Sequence, residues 1–251
     1  MNLDRVIAVR NTKTIYRDGD RCLKVFNESH PKWEVLDAAL NQAKVEETGL
    51  NVPRVLEVSR VDGKWTLVTD YITGKTLEQL MLETEDEAKR DEYLERFVDI
   101  QISVSKNKCP TLQRLKERMH DRIDRTDLNA TIRYDLHTRL NMLPRDDRLL
   151  HGDFYPANII ITAEGEAYLI DWSHACQGSP EADAAQTYLL FYMKGDFNTA
   201  EKYLELYCKK SDTPKQVVQK WMPIAAASRL EKGVPQEREF LMDWVNIADY
   251  S

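Results

Sequence analysis

The sequence predicts an α+β protein, with a small antiparallel-sheet lobe followed by a larger helical lobe. Two observations carry this. Strand pairs around tight turns crowd into the first third, and helical spacing takes over after Gly74. Lys13–Arg17 and Arg21–Phe26 flank Asp18-Gly19, a hairpin signal. A second hairpin follows, Val55–Arg60 and Lys64–Tyr71 around Asp62-Gly63. Between them Pro31–Thr48 has helical spacing, with Leu36, Leu40 and Val45 on one side, and Gly49 and Pro53 stop it. Helices are expected over Thr76–Leu82, Glu85–Ser105, Thr111–Asp124 and Leu128–Met142. Short strands return at Ile159–Thr162 and Ala167–Ile170 around Glu164-Gly165, and the chain is helical again from Ala182. The expected division is residues 1–72 for the sheet lobe and 73–251 for the helical lobe.

The chain has 251 residues, 42% hydrophobic and 31% charged, enough apolar material for a folded core. Its net charge of −7 speaks against a nucleic-acid or anionic-membrane surface, since polyphosphates would be repelled. No stretch approaches the roughly 18 apolar residues of a membrane span. The start, MNLDRVIAVRNTK, is charged within five residues and has no apolar run, so no secretory leader is expected and a cytoplasmic location is. Cys22, Cys109, Cys176 and Cys208 form no C-x-x-C pair, which fits reduced thiols.

The chemistry concentrates in His151-Gly152-Asp153-Phe154-Tyr155-Pro156-Ala157-Asn158, followed by Ile159-Ile160-Ile161 and then Leu169-Ile170-Asp171-Trp172. Kinase catalytic loops carry an Asp, an Asn five residues later, and a metal-binding Asp after a short strand pair. A tight loop lets Asp153 face an attacking hydroxyl while Asn158 reaches magnesium. The hairpin then returns Asp171, 13 positions after Asn158, to the same ion. Hard oxygen ligands suit Mg²⁺, which keeps several waters and bridges nucleotide phosphates. A single histidine in the cluster speaks against a zinc hydrolase.

On this H-G-D-x-x-x-x-N and I-D-W set the sequence resembles the aminoglycoside phosphotransferase and choline kinase-like family, over about residues 10–190. The resemblance implies a bilobal protein-kinase-like fold that uses ATP and Mg²⁺. It implies Asp153 as the catalytic Asp, and Asn158 and Asp171 as magnesium ligands. Asp183 would brace the catalytic loop through its backbone amides, and His151 would support the loop structurally. The expected activity moves the γ-phosphate of ATP onto a hydroxyl of a small molecule, such as an aminoglycoside, an amino alcohol or a sugar-like compound. The alternative is a nucleotide-binding pseudokinase or regulatory module without transfer.

Lys24 lies inside the apolar run Cys22–Phe26, where it either faces solvent or reaches the nucleotide phosphates, as the family's strand lysine does. Its expected carboxylate partner on the following helix is Glu34, for which a surface role is equally open. Arg10–Tyr16 contains no glycine, so Asn11, Thr12 and Thr14 are the candidates to supply donors to the phosphates. By the same resemblance Leu67–Gly74 would be the hinge, with Thr69 lining the pocket and the Asp70 carbonyl and Ile72 amide reading the adenine edge; an edge strand running into a turn fits the same residues equally well.

Asp183 follows Asp171 by only 12 positions and no A-P-E follows, which leaves no platform for a peptide and favours a small acceptor. Glu231, Glu237, Glu239 and Asp243 either attract a cationic amine or form a solvated helix face. Trp221, Trp244 and Tyr250 either stack on the acceptor or pack the core.

Overall fold

In a computed structural model the protein is described at Leu3 and over residues 5–247. Five strands and one helix come first: β1 (Arg5–Val9), β2 (Lys13–Asp18), β3 (Arg21–Phe26), α1 (Lys32–Glu46), β4 (Val55–Val61) and β5 (Lys64–Asp70). Then follow β6 (Lys75–Thr76), α2 (Leu77–Glu83), α3 (Glu87–Ser105), α4 (Leu115–Asp124), α5 (Ala130–Met142) and β7 (Arg148–Leu150). After a 3-10 turn at Pro156–Asn158 come β8 (Ile159–Ile161) and β9 (Ala167–Leu169), a second 3-10 turn at Trp172–His174, and β10 (Cys176–Gly178). Five helices complete the chain: α6 (Pro180–Met193), α7 (Phe197–Ser211), α8 (Lys215–Gln219), α9 (Met222–Leu230) and α10 (Pro235–Val245).

The chain divides into two compact units, Met1–Glu83 with Pro156–Ala175, and Thr84–Tyr155 with Cys176–Ser251. This differs from a division at residue 72. The physical reason is strand pairing: β6 pairs antiparallel with β8, Lys75 opposite Ile161, and carries the stretch through α2 into the first unit. Gly74 makes the approach possible. A Cβ there would lie 2.3 Å from the Ile161 carbonyl oxygen, so only glycine fits.

The first unit is built on a five-stranded antiparallel sheet in the order β1-β2-β3-β5-β4. Both expected hairpins form. Asp18 pairs with Arg21 around a turn with Gly19 at φ +61°, and Val61 pairs with Lys64. The strand β1, short and largely exposed, adds an edge that the sequence did not announce. α1 packs on the sheet through Val35, Ala38 and Ala39 against Phe26 and Leu67. The expected apolar face of this helix is corrected in part: Val45 is buried, but Leu36 and Leu40 are 43% and 51% exposed, and the small Ala38 and Ala39 let the helix close on the strands.

The second unit is helical. Asp86, Asn129 and Asp196 cap α3, α5 and α7 by accepting bonds from backbone amides inside the first turn. Its core gathers Phe97, Phe154, Phe191 and Tyr203 at ring separations of 4.8–5.8 Å, with Trp221 fully buried nearby in sequence to α9. No described helix is long and apolar enough to cross a membrane.

Candidate active site

Within the first unit the β8–β9 hairpin brings two predicted ligands to one end. Ile159 pairs with Leu169, and the Ile170 amide donates to the Asn158 carbonyl at 2.9 Å, so Asn158 and Asp171 flank the same rung. Asp171 then takes a left-handed conformation, φ 64° and ψ 57°, uncommon for a residue with a Cβ. The turn is held from both sides. Buried Trp172 donates its indole N–H to the Leu169 carbonyl at 3.1 Å, and Asn41 of α1 donates to the Ser173 carbonyl at 3.2 Å.

Lys24 sits in β3 between buried Leu23 and Val25 and is itself buried. Its ammonium lies 3.4 Å from Asp171 Oδ1. A second cation, Lys13 at the start of β2, lies 2.8 Å from Asp171 Oδ2, and the Ser173 hydroxyl donates to Oδ1 at 3.3 Å. Burial pushes the Asp171 carboxyl up, but Lys24 and Lys13 outweigh it and hold the group well below the usual carboxylate range. Sequence reasoning missed Lys13, since a lysine opening a half-exposed strand carries no local signal. Glu34 does not meet Lys24. It faces His30 Nε2 at 3.3 Å, so the predicted helix pairing is replaced by Asp171.

Thr69 is buried, its hydroxyl donating to the Asp70 carbonyl at 3.2 Å. The Asp70 carboxylate is held by Arg54 Nε at 2.8 Å, outside the strand ladder. The Ile72 amide makes no hydrogen bond among the described residues. Thr12 is exposed in the β1–β2 turn, where its carbonyl accepts the Asn27 amide at 2.9 Å and the Asn11 carbonyl accepts the Asn27 side chain at 2.9 Å. Those contacts shape the glycine-free turn.

The second unit holds the start of the H-G-D stretch. Gly152 has φ +76°, a conformation that glycine adopts freely, and its amide donates to Asp183 Oδ1 at 2.9 Å. Asp183 is buried in the first turn of α6, where the helix N-terminus favours a carboxylate. Burial nonetheless raises its pKa, opposed by His151 and by the loop amides. His151 is fully buried against the edge of Phe154. A buried polar chain, unforeseen in the sequence, fixes the residue after Asp153. Tyr203 donates to Gln101 at 2.6 Å, Gln101 to Thr187 at 3.2 Å, and Thr187 to the Phe154 carbonyl at 2.9 Å.

The C-terminal candidates divide. Glu231 pairs with Arg125 at 3.3 Å, and both oxygens of Glu237 are taken by Arg229. Trp221 is core, and Trp244 packs on Tyr188, Tyr192 and Phe240. Tyr250 lies outside the described residues.

With this geometry established, the sequence profile of the phosphotransferase enzyme family (APH) matches residues 7–217. The chain belongs to that family. Among curated protein sequences none is significantly similar. Solved structures match over nearly the whole chain. An aminoglycoside-3'-phosphotransferase of type VIII aligns with TM-score 0.64 at 17% identity, over 90% of this chain and 92% of its own. A thermostable mutant of aminoglycoside phosphotransferase APH(4)-Ia, in ternary complex with AMP-PNP and hygromycin B, gives TM-score 0.66 at 14% identity, over 95% and 89%. LicA in complex with AMP gives 0.61 at 15% identity, over 97% and 88%. At these identities the likeness establishes the kinase-like α+β fold of the APH family.

Asp171 is an ionised carboxylate and Asn158 stands on the adjacent rung, so the residue types suit a hard divalent cation, while Lys13 and Lys24 hold both carboxylate oxygens in this structure. Two protein oxygens are what Mg²⁺ takes when phosphates and waters complete its shell.

Proposed function

We propose that this member of the APH family transfers the γ-phosphoryl group of ATP to a hydroxyl of a small molecule. The observation that carries the reading is the convergence of Lys24 and Lys13 on Asp171 at the end of the hairpin that also holds Asn158. Cations and a hard carboxylate in one place are what a polyphosphate with its metal requires.

In this reading Lys24 holds the nucleotide's phosphates, while Asn158 and Asp171 hold Mg²⁺. The bound ion would neutralise charge on the phosphate oxygens. Thr69 lines the nucleotide pocket, and the Asp70 carbonyl and Ile72 amide read the base. Asp153 orients the acceptor hydroxyl and takes its proton as the new O–P bond forms and the bond to the β-phosphate's bridging oxygen breaks, releasing ADP. The transition state of such a transfer is loose, so positioning and charge carry most of the rate. The brace from Asp183 and the Thr187 contact at Phe154 keep Asp153 in place. The AMP-PNP and hygromycin B bound to the APH(4)-Ia relative support a nucleotide plus a hydroxylated acceptor.

Coupled ADP detection with Mg·ATP against aminoglycosides, choline, ethanolamine, sugars and homoserine tests the proposal. Acceptor-dependent ADP release that Asp153→Ala removes is expected. Nucleotide binding without release for any acceptor would identify a regulatory module instead.

A further inference from the structure

The second unit holds a cavity that phosphoryl transfer does not use. Its volume is about 110 Å³, against roughly 30 Å³ for one water in the liquid. Its walls come from the start of α4, the end of α5 with residues 144–146, the end of β10, and Trp221 ahead of α9. They are tied to one another. The Ser179 hydroxyl donates to the Pro144 carbonyl at 3.2 Å, and the Lys116 ammonium to the carbonyls of Asn141, at 3.4 Å, and Leu143. Arg148 of β7 pairs with Gly178 at this end of the ribbon, whereas Leu150 pairs with Cys176 at the other and leads into His151. The cavity therefore sits at the end of β7 and β10 opposite to the H-G-D stretch.

The wall is a donor set without its acceptor. Trp221 is 1% exposed, and its indole N–H has no hydrogen-bond partner among the described residues. A buried donor left unpaired is costly, so it calls for an acceptor from a ligand or water. Lys116 uses two of its three N–H groups on the α5 end and meets no carboxylate at ion-pair distance among the described residues. Burial lowers its pKa, and the neighbouring charge of Arg145 lowers it further. Arg114 and Arg145, the exposed cations of the same wall, likewise meet no carboxylate at ion-pair distance among the described residues. Of the two carboxylates beside them, Asp146 turns to Arg148 at 3.7 Å and Glu117 is exposed. His120 already has both nitrogens engaged, Nδ1 with His137 Nδ1 at 2.7 Å and Nε2 with Asn141 Oδ1 at 3.2 Å. Water would satisfy the indole but would leave three cations without a counter-charge.

We propose that this cavity is a second ligand site, which takes a phosphate group, free or carried by a small molecule. The Trp221 indole and the third N–H of Lys116 donate to its oxygens, and Arg114 and Arg145 supply charge from the exposed side. Phosphate suits the site better than a carboxylate. Its tetrahedral oxygens face donors on several walls at once, and it carries nearly two negative charges.

The test follows the Trp221 indole resonance of the full chain by ¹H–¹⁵N NMR, assigned by triple-resonance experiments. Inorganic phosphate, glycerol phosphate and acetate are titrated separately at constant ionic strength. A saturable shift at millimolar phosphate is expected, with affinity at least about fivefold above that for acetate. The tighter of the two phosphate compounds identifies free phosphate or a monoester as the ligand. Replacing both exposed arginines, Arg114→Gln with Arg145→Gln, is expected to weaken the binding about tenfold. A Trp221 resonance unmoved by either phosphate compound, even with phosphate bound elsewhere on the chain, overturns the proposal. So does acetate binding as tightly as phosphate, or undiminished binding by the double variant.

Discussion

The ammonium of Lys13 lies 2.8 Å from Asp171 Oδ2 although 158 positions separate the two residues. It is the shorter of two lysine contacts to this carboxylate, since Lys24 stands 3.4 Å from the other oxygen. Both lysines and Asp171 are largely shielded from solvent. Replacing Lys13 by methionine leaves Lys24 to carry the pair alone. We expect Lys13→Met to lower stability by about 1–3 kcal/mol, read by urea denaturation, and to weaken ATP binding less than Lys24→Met does.

Asp183 makes a second prediction, with a defined pH sign. Burial raises its folded-state pKa above the unfolded value of about 3.9. Between those two values the folded chain binds more protons than the unfolded one. Its contribution to stability is therefore full below pH of about 3.9 and is lost as pH rises through the folded pKa. Asp183→Asn, which keeps an acceptor for the Gly152 amide, should flatten this part of the stability-versus-pH curve. Asp183→Ala should cost about 1–3 kcal/mol, because the Gly152 amide loses its partner. Equal pH slopes for wild type and Asp183→Asn would count against a raised carboxyl.

The chain from Tyr203 through Gln101 and Thr187 to the Phe154 carbonyl predicts unequal costs along its length. Gln101→Leu strands groups on both sides, whereas Tyr203→Phe strands one. We expect Gln101→Leu to cost about 2–4 kcal/mol and Tyr203→Phe about 1–2 kcal/mol. Their double mutant should fall short of the sum, since both remove the same bond. Additive losses in urea denaturation would show that the bond contributes nothing.

Gly74→Ala tests the join between β6 and β8. The added Cβ would fall 2.3 Å from the Ile161 carbonyl oxygen and 2.7 Å from the Ile160 side chain. A backbone oxygen cannot swing aside, so the strands must part, at a cost of about 1–3 kcal/mol in thermal melting.

These cases show what the sequence made legible. The α+β class, both N-terminal hairpins and the loop–hairpin order of Asp153, Asn158 and Asp171 were readable, because each rests on contiguous residues whose spacing is their geometry. What was unreadable depends on distant pairs. Lys13 acquires meaning only when the sheet and the β8–β9 hairpin are both folded. Gln101, Thr187 and Tyr203 lie on three helices, and no local pattern connects them. The helix α1 misled because Leu36 and Leu40 are the larger apolar side chains, yet Ala38 and Ala39 allow the closer approach to the sheet. For Glu34 the sequence left pairing with Lys24 and a surface role equally open; in the structure it lies by His30, and the carboxylate that meets Lys24 comes from position 171.

Calorimetric titration of ATP into wild type and Asp171→Ala, each with and without Mg²⁺, asks whether Asp171 holds the metal of a bound nucleotide. Mg²⁺-dependent binding is expected for the wild type, and in Asp171→Ala an affinity at least about tenfold weaker and indifferent to Mg²⁺. Undiminished, Mg²⁺-dependent ATP binding by Asp171→Ala would contradict that role.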